Sequence, residues 1–196
     1  PLFCLLFFSA LVEMQLYVKA SPTVIRVPAD YPKIQEAIGH ANPGDTIQVS
    51  SGTYCENLYI DKALTLIGES KENTILDGNG ESIVVLVNST SVAIRGFRIV
   101  NGSDGIVLES CSGSVIEQSS MLHLSIGIWL HYSNSNIVSD NIVSDCGWCG
   151  VLLCGGSSEN NITRNTLNGN GNGLGLTGMN NVIYHNNFIA NQNQTM

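Results

Sequence analysis

Short apolar bursts recur through the second half of the chain at a nearly constant interval. The segment Gly-Ile-Val-Leu at 105–108 returns in variant form at 127–130, 150–153 and 173–176, at spacings of 22, 23 and 23 residues. Two further columns keep a similar interval: Ile94, Ile116, Val138, Ile162 and Ile183, and Ile99, Met121, Val143, Leu167 and Phe188. None of the bursts reaches the length of a helix. The pattern predicts a solenoid with about three short strands per coil and coils about 4.8 Å apart.

A second, largely polar column lies between the two apolar ones, at Phe97, Ser119, Asn141, Asn165 and Asn186. Stacked asparagines suit the turns of a solenoid, because their amides can bond to the neighbouring coil and to nearby backbone. The segment 160–178 is half asparagine and glycine, yet it keeps every column in register. We therefore predict a coil there rather than disorder, and we assign the glycines at 169, 171 and 173 to positive φ at a corner.

The first half of the chain fits the same plan. Strand-like bursts separated by turn residues lie at 46–49, 57–60, 64–68, 74–78 and 83–87. Before them, residues 31–41 predict one amphipathic helix, with Pro32 in its first turn. Its apolar face comprises Ile34, Ala37, Ile38 and Ala41. We expect this helix to cap the first coil, because a solenoid otherwise exposes a bare core at its end, and about seven coils would make a core about 33 Å long.

Residues 27–80, beginning "VPADYPKIQEAIGHANPGDTIQV", resemble the N-terminal coil of the pectin-lyase-like right-handed parallel β-helix superfamily. They are most similar to its NosD-like, CASH-type branch, named for carbohydrate-binding proteins and sugar hydrolases. With the later coils, the likeness covers residues 24–196. The resemblance implies an all-β fold: a right-handed, single-stranded parallel β-helix of about 22 residues per coil with an N-terminal capping α-helix. It implies little about activity, because the fold hosts lyases, esterases, hydrolases and adhesive fibres.

Residues 1–20 differ in composition from the rest of the chain. An apolar run from Leu2 to Val12 is too short to span a bilayer, and Val18-Lys19-Ala20 has the spacing of a signal-peptidase site. We interpret 1–20 as a signal peptide and 21–196 as the β-helix domain, with a buried N-terminal helix as the alternative. The mature chain would then have no membrane span and be secreted, periplasmic or at the cell surface. A net charge of −8 argues against nucleic acid as a partner.

Export would also change how the Asn-x-Ser/Thr triplets and the cysteines are interpreted. The triplets at Asn88, Asn101, Asn161 and Asn193 become candidate glycosylation sites. Cys146, Cys149 and Cys154 would meet an oxidising compartment, and we expect a disulfide among them that staples a corner. The alternative is a soft-metal site for copper or zinc, formed by these three with His131, because His131 and Cys154 share a column on adjacent coils. The NosD-like resemblance adds support for copper; otherwise no cofactor is expected.

The strand alternation places one set of side chains on the outside of the solenoid. Ile106, Ile128, Val151 and Leu174 would point inward, leaving Trp129 outward with Glu109 and His131 beside it. Trp129, with Tyr132 and Trp148, could stack on a sugar ring, so these five residues are the candidate ligand site. The alternative is that a loop or partner covers Trp129.

The sequence supports no catalytic residue. The Gln and Asp motifs of pectinesterases are absent from the corresponding coils. Asp104, Asp140 and Asp145 lie at corners, where carboxylates are usually solvated. Arg95 and Glu117 share a column on adjacent coils, which favours a structural ion pair over a catalytic base. A hydrolase pair, Glu109 with Glu117 or Asp140 with Asp145, stays open.

Three functions follow from these observations. The first is a secreted or cell-surface β-helix that binds a polysaccharide or other glycan, or has a structural role, without catalysis of its own. The second is a polysaccharide lyase or hydrolase, and the third is a NosD-like periplasmic copper-handling protein. The last coil, 180–196, has no following Gly-Ile-x-Leu strand and no cap helix. We therefore expect the parent chain to continue, or this end to self-associate.

Overall fold

The computed structural model describes residues 21–80 and 82–196, so the proposed signal peptide lies outside the described residues. One helix, α1 (Ile34–His40), is followed and preceded by short strands. The strands are β1 (Val24–Val27), β2 (Thr46–Val49), β3 (Gly52–Cys55), β4 (Leu58–Ile60), β5 (Thr65–Gly68), β6 (Thr74–Asp77), β7 (Val85–Val87), β8 (Ala93–Arg95), β9 (Arg98–Val100), β10 (Asp104–Glu109), β11 (Val115–Glu117), β12 (Ser120–Leu122), β13 (Ile126–His131), β14 (Ile137–Ser139), β15 (Ile142–Ser144), β16 (Cys149–Cys154), β17 (Asn161–Thr163), β18 (Thr166–Asn168), β19 (Asn172–Leu176), β20 (Val182–Tyr184), β21 (Asn187–Ile189) and β22 (Asn193–Thr195).

The strands form three parallel sheets that run the length of the molecule. Sheet A has the order β1-β2-β5-β8-β11-β14-β17-β20, sheet B runs from β3 through β6 and β9 to β21, and sheet C runs from β4 through β7 and β10 to β22. Each coil adds one strand to each sheet, and Ile106 pairs with Ile128, 22 residues later. The predicted right-handed parallel β-helix is confirmed, because parallel strands joined through successive crossovers wind with this hand.

The apolar columns of the sequence form the core. The sheet A column stacks Ile94 on Ile116 and Ile116 on Val138, and all three are at most 1% exposed. The core is one continuous cluster from Val27 to Leu174. Each buried aliphatic side chain contributes about 1.5–3 kcal/mol relative to exposure, so the columns supply the main stabilisation of an elongated protein.

The polar column forms a ladder of side-chain amides inside the corner between sheets A and B. The buried Asn165 donates from Nδ2 to the Val138 carbonyl (2.8 Å) and to Asn186 Oδ1 (3.0 Å). Its Oδ1 accepts the backbone N–H of Asn141 at 3.1 Å. Similar ladders link Asn136, Asn160 and Asn181, and Asn170 with Asn191. The prediction that asparagines bond between coils is confirmed, and the ladders satisfy buried corner amides whose loss would cost about 1–3 kcal/mol each.

The repeated glycines have a different role from the predicted one. Of the three assigned to positive φ, only Gly169 adopts it, at +67°. Gly173 belongs to the column that opens each Gly-Ile-x-Leu burst, where the chain passes too close to the next coil for a side chain. A Cβ on Gly150 would lie 2.7 Å from the Gly173 carbonyl oxygen and 2.9 Å from Asn170 Nδ2. Close approach between coils, rather than backbone conformation, requires this column to be glycine.

The cap helix is shorter than the predicted 31–41, because the first coils fix both of its ends. The Glu56 carboxylate accepts the backbone N–H groups of Ile34 and Gln35, both at 3.0 Å, and so starts the helix at Ile34. Lys62 Nζ donates to the Ile38 carbonyl at 3.1 Å at the other end. An anion at the helix N-terminus and a cation at its C-terminus both interact favourably with the helix dipole.

Helix α1 also protects the first edge of sheet C. The Gln35 amide accepts the Tyr59 N–H at 2.8 Å and donates to the Tyr59 carbonyl at 3.2 Å. A side-chain amide therefore takes the place of a further strand beside β4, which confirms the capping role. At the other end, β20, β21 and β22 pair on one side only within the described residues, and self-association there stays a prediction. Across 21–80 and 82–196, no helix is long and apolar enough to cross a membrane.

We predict that two glycine-to-alanine substitutions act in opposite directions. Gly150→Ala should lower the free energy of unfolding by about 1–3 kcal/mol, because its methyl group overpacks the space between coils. Gly39→Ala, in α1 with nothing within 4 Å of the new Cβ, should raise it by about 0.5–1 kcal/mol through helix propensity. Urea unfolding of both variants gives the comparison. Equal effects of the two substitutions would contradict the assignment of Gly150 to close approach.

A second prediction concerns the turn between α1 and β2. The buried Asp45 carboxylate accepts the Thr23 N–H at 2.7 Å and the Asn42 N–H at 2.8 Å, and these bonds hold its pKa below the usual range. Because the folded-state pKa is depressed, this stabilisation is present above about pH 4 and is lost as the pH falls through the folded-state value.

Asp45→Asn should therefore lower the free energy of unfolding at pH 7 by about 1–3 kcal/mol, and its difference from the native protein should shrink below about pH 4. Glu36→Gln, at an exposed position on α1, is the control and should change little. Urea unfolding across pH measures both. A constant difference at every pH would show that Asp45 does not act through its charge.

Candidate functional site

The outer surface of sheet C brings the predicted ligand residues together on adjacent coils. Trp129 pairs in register with Val107 on one side and Leu152 on the other. In the next outward column, His131 lies between Glu109 and Cys154. Strand pairing thus places side chains that are 22 or 23 residues apart in sequence next to one another on the surface.

The centre of the arrangement is a hydrogen bond between an imidazole and a carboxylate. His131 Nδ1 lies 2.7 Å from Glu109 Oε2, and both side chains are half-buried. The His131 ring lies 4.2 Å from the Tyr132 ring and 5.4 Å from the Trp129 ring, measured between centroids. Tyr132 is 58% exposed. We call Glu109, Trp129, His131 and Tyr132 the sheet C site.

Trp129 itself is partly covered by its own chain. Its indole N–H donates to Cys154 Sγ at 3.0 Å, and its ring packs on a small apolar cluster of Ile126, Cys149 and Leu152 that is separate from the main core. The sequence reasoning missed this cluster. The sequence does contain a pattern that indicates it. The residue just before the glycine of each Gly-Ile-x-Leu burst is apolar in two coils, at Ile126 and Cys149, and polar in the flanking coils. Trp129 is therefore a half-buried wall of the site, and Tyr132 is its open ring.

Trp148 stands apart from the other aromatic residues. It lies in the turn before β16 and is 49% exposed. Among the described residues its ring is stacked on none of the sheet C site rings. The structure thus assembles four of the five predicted ligand residues and leaves Trp148 on a neighbouring corner.

The predicted metal alternative is not assembled. Within the described part of the chain, no three His, Cys, Asp or Glu side chains are grouped to hold a metal ion. Cys146 lies in the main core, whereas Cys149 and Cys154 belong to the outer cluster, and His131 is bonded to Glu109. Burial raises the pKa of Cys146 to about 12 and that of Cys149 to about 11, so neither is a ready thiolate ligand.

The same positions bear on the predicted disulfide. Cys146, Cys149 and Cys154 are free thiols in this structure. Cys146 packs in the main core, whereas Cys149 packs in the outer cluster. A disulfide among the three stays a prediction for the protein in an oxidising compartment.

The four candidate glycosylation sites differ in their surroundings. Asn88 is exposed after β7. Asn101 donates from Nδ2 to Asp77 at 2.8 Å, and Asn193 donates to Asn172 at 3.0 Å. Asn161 lies within β17, and its Oδ1 is buried without a partner. Glycosylation stays a prediction; Asn88, Asn101 and Asn193 are exposed, whereas Asn161 is partly buried.

The charged residues considered for catalysis form pairs between coils. Arg95 lies 3.5 Å from Glu117, as the shared column predicts. Arg164 donates to both carboxylate oxygens of Asp140 at 2.8 Å, and this bidentate pair lowers the pKa of Asp140. Glu117 and Asp140, one member of each candidate carboxylate pair, are thus each paired with an arginine on a neighbouring coil.

Three solved structures share the fold. An alginate lyase from Paenibacillus sp. str. FPU-7 has a TM-score of 0.67 and 15% identity, covering 86% of this chain and 77% of the lyase. Tailspike protein gp49 from Acinetobacter baumannii bacteriophage Fri1, a capsular polysaccharide depolymerase, has a TM-score of 0.60 and 9% identity, covering 87% and 38%. The A-module of the Azotobacter vinelandii mannuronan C-5 epimerase AlgE4 has a TM-score of 0.52 and 17% identity, covering 78% and 59%. At these identities the likeness shows the fold alone.

Two comparisons of sequence give closer relationships. A cell surface glycoprotein of Methanothermus fervidus is 30% identical over 158 residues, which are 74% of this chain. The chain spans only 26% of that relative's length. The family described as periplasmic copper-binding protein (NosD) matches residues 38–196, most of the β-helix. The chain therefore belongs to the NosD family.

Proposed function

We propose that the protein is a secreted or cell-surface β-helix that binds a glycan at the sheet C site without catalysis of its own. The observation that carries this proposal is the open Tyr132 ring beside the Glu109–His131 pair and the wall formed by Trp129. Sugar rings present apolar C–H faces to aromatic rings and hydroxyl groups to polar side chains. The sheet C site offers both kinds of contact on one rigid surface.

The rigidity of the surface supports recognition. Glu109 and His131 are on neighbouring strands of a continuous sheet, and their bond fixes both side chains before a ligand arrives. A preorganised site avoids part of the entropy cost of ordering side chains on binding. Further outward columns run along the same sheet, so a chain-like ligand could follow the axis of the solenoid.

The relatives support a carbohydrate role and a surface location. The Methanothermus fervidus relative is named a cell surface glycoprotein, and the structural neighbours are named for alginate, capsular polysaccharide and mannuronan. These names describe those proteins. For this chain they support the proposal together with the sheet C site, and the interpretation of 1–20 as a signal peptide agrees with the proposed location.

The family description names copper, but among the described residues no three His, Cys, Asp or Glu side chains are grouped to hold a metal ion. Soft copper ligands would be cysteine, methionine and histidine side chains. Cys146 and Cys149 are buried, which raises the pKa of their thiols, Met121 lies in the core, and Cys154 accepts the Trp129 indole N–H. We therefore do not propose copper handling by this part of the chain.

A second candidate function is proton abstraction from a polysaccharide, and the Glu109–His131 bond favours it. A tautomer with the proton on Nδ1, donated to Glu109, leaves Nε2 as a base, and Tyr132, whose ring centroid lies 4.2 Å from that of His131, is the candidate acid. A lyase would cleave a uronate polymer and leave an unsaturated sugar end that absorbs ultraviolet light. Ultraviolet-absorbing products from the native protein, lost in His131→Gln, would replace the binding proposal with this one.

For the binding proposal, we predict that Tyr132→Ala weakens binding of the best glycan from an array by about 2–10-fold, because it removes the open stacking ring. Tyr184→Ala is the matched control, since Tyr184 is also exposed and also lies against a histidine, His185, at 5.0 Å. Calorimetric titration gives both affinities. Glycan binding that survives Tyr132→Ala unchanged, or equal losses in both variants, would refute the sheet C site as the binding surface.

A further inference from the structure

One turn at the edge between sheets A and B differs from the turns stacked beside it. Later coils pass this corner through a single left-handed residue, such as Gln118 or Asp140. Between β5 and β6 the chain instead makes a five-residue turn, Glu69–Asn73, which projects from the corner. The turn is fixed by the Ser70 carbonyl, which accepts the N–H groups of Asn73 (3.1 Å) and Thr74 (2.7 Å). It is a longer, hydrogen-bonded turn on an otherwise regular edge.

Two grooves lie on either side of this turn and share Lys71 and Glu72. The larger, about 500 Å³, also contacts Arg95 and Gln118. The smaller, about 250 Å³, is bounded by Arg98 on sheet B, with the outward side chains Ser120, Leu122 and Ile142. Both are open along the edge, so a linear ligand could pass under the turn. We call Lys71, Arg95 and Arg98 the basic corner.

The charge of the basic corner is unusual for this protein. The whole chain has a net charge of −8, yet three of its eight basic residues lie around this one turn. Arg95 is paired with Glu117 at 3.5 Å. Over 21–80 and 82–196, neither Lys71 nor Arg98 takes part in an ion pair, although both side chains are half-buried. Two cations that take part in no ion pair thus face the grooves, whose lining also includes the carboxylates of Glu69 and Glu72.

We propose that the basic corner is a second carbohydrate-binding site that takes the carboxylates of an acidic polysaccharide. This inference rests on the proposed carbohydrate role and adds the ligand class. An arginine guanidinium matches the geometry of a carboxylate, and a lysine adds a point charge. Lys71 belongs to the coil before the one that carries both arginines, and neighbouring coils are about 4.8 Å apart, so a linear ligand could meet charges from both coils.

The surroundings of Arg98 favour a sugar over another polyanion. Leu122 and Ile142 provide an apolar floor on which the C–H face of a sugar ring can lie. The grooves contain no aromatic ring for stacking a base, and the overall negative charge opposes nucleic acid. The basic corner lies at the edge of sheets A and B, whereas the sheet C site is on the third face, so the two can be tested separately.

The test uses Arg98→Gln and Lys71→Gln, each titrated calorimetrically with a polyuronate oligomer, a sulfated glycan, a neutral glucan and polyphosphate. Lys33→Gln is the matched control, because it removes one exposed positive charge at the start of α1 that lines neither groove. We expect the native protein to bind the polyuronate best. Each basic-corner variant should lose about fivefold or more in affinity, with the control within about twofold, since only the former lose a direct charge-assisted bond.

Each outcome separates this inference from the proposed function. Unchanged polyuronate affinity in Arg98→Gln and Lys71→Gln, with a loss in Tyr132→Ala, would overturn the basic corner alone. Equal or tighter binding of polyphosphate or the sulfated glycan by the native protein would show a general anion site and overturn the ligand class. A loss of polyuronate affinity in the basic-corner variants, with none in Tyr132→Ala, would support the inference and refute the sheet C site as a glycan-binding surface. Binding of no glycan at all would overturn both proposals.

Discussion

The whole structure depends on the hydrogen bonding of each coil to the coil on either side. Neighbouring coils are held at strand spacing by backbone bonds along three sheets, so any residue contacts its counterpart about 22 positions later. At the corners, where strands stop, asparagine side chains continue the same bonding: Asn165 accepts from Asn141 and Asn186 accepts from Asn165. Inside, the same spacing stacks aliphatic columns into the core.

The same constraint creates the surface sites. Glu109 and His131 are 22 residues apart in sequence but 2.7 Å apart in space, because strand register leaves them no other position. The same close spacing leaves no room for a side chain at some positions. At Gly150, for example, no side chain fits between the coils. Outside the wall, individual coils carry features that do not repeat: an imidazole–carboxylate pair on sheet C, and a five-residue turn with three cations around it at the edge of sheets A and B.

The sequence predicts what repeats and misses what occurs once. The columns, the three strands per coil, the ladder at Asn141 and Asn165 and the outward position of Trp129 all follow from periodicity. The start of α1 does not, because Glu56, two strands away in the chain, caps Ile34. Periodicity also does not predict the cluster around Cys149. This cluster forms because the residue before a repeated glycine can pack outside the wall. Lys71 was missed because its approach to Arg98 depends on how one turn folds over the next coils.

The most direct test of the coil-to-coil account is hydrogen exchange at the corner amides of Asn141 and Asn165, measured by NMR. Both amides lie in a turn, and turn amides ordinarily exchange fast. Here each is buried and donates to the side-chain oxygen of the asparagine one coil ahead, at 3.1 and 2.9 Å. We expect them to exchange as slowly as the strand amides of Met121 and Val143, opening only with global unfolding. Exchange at the rate of an exposed turn would contradict it.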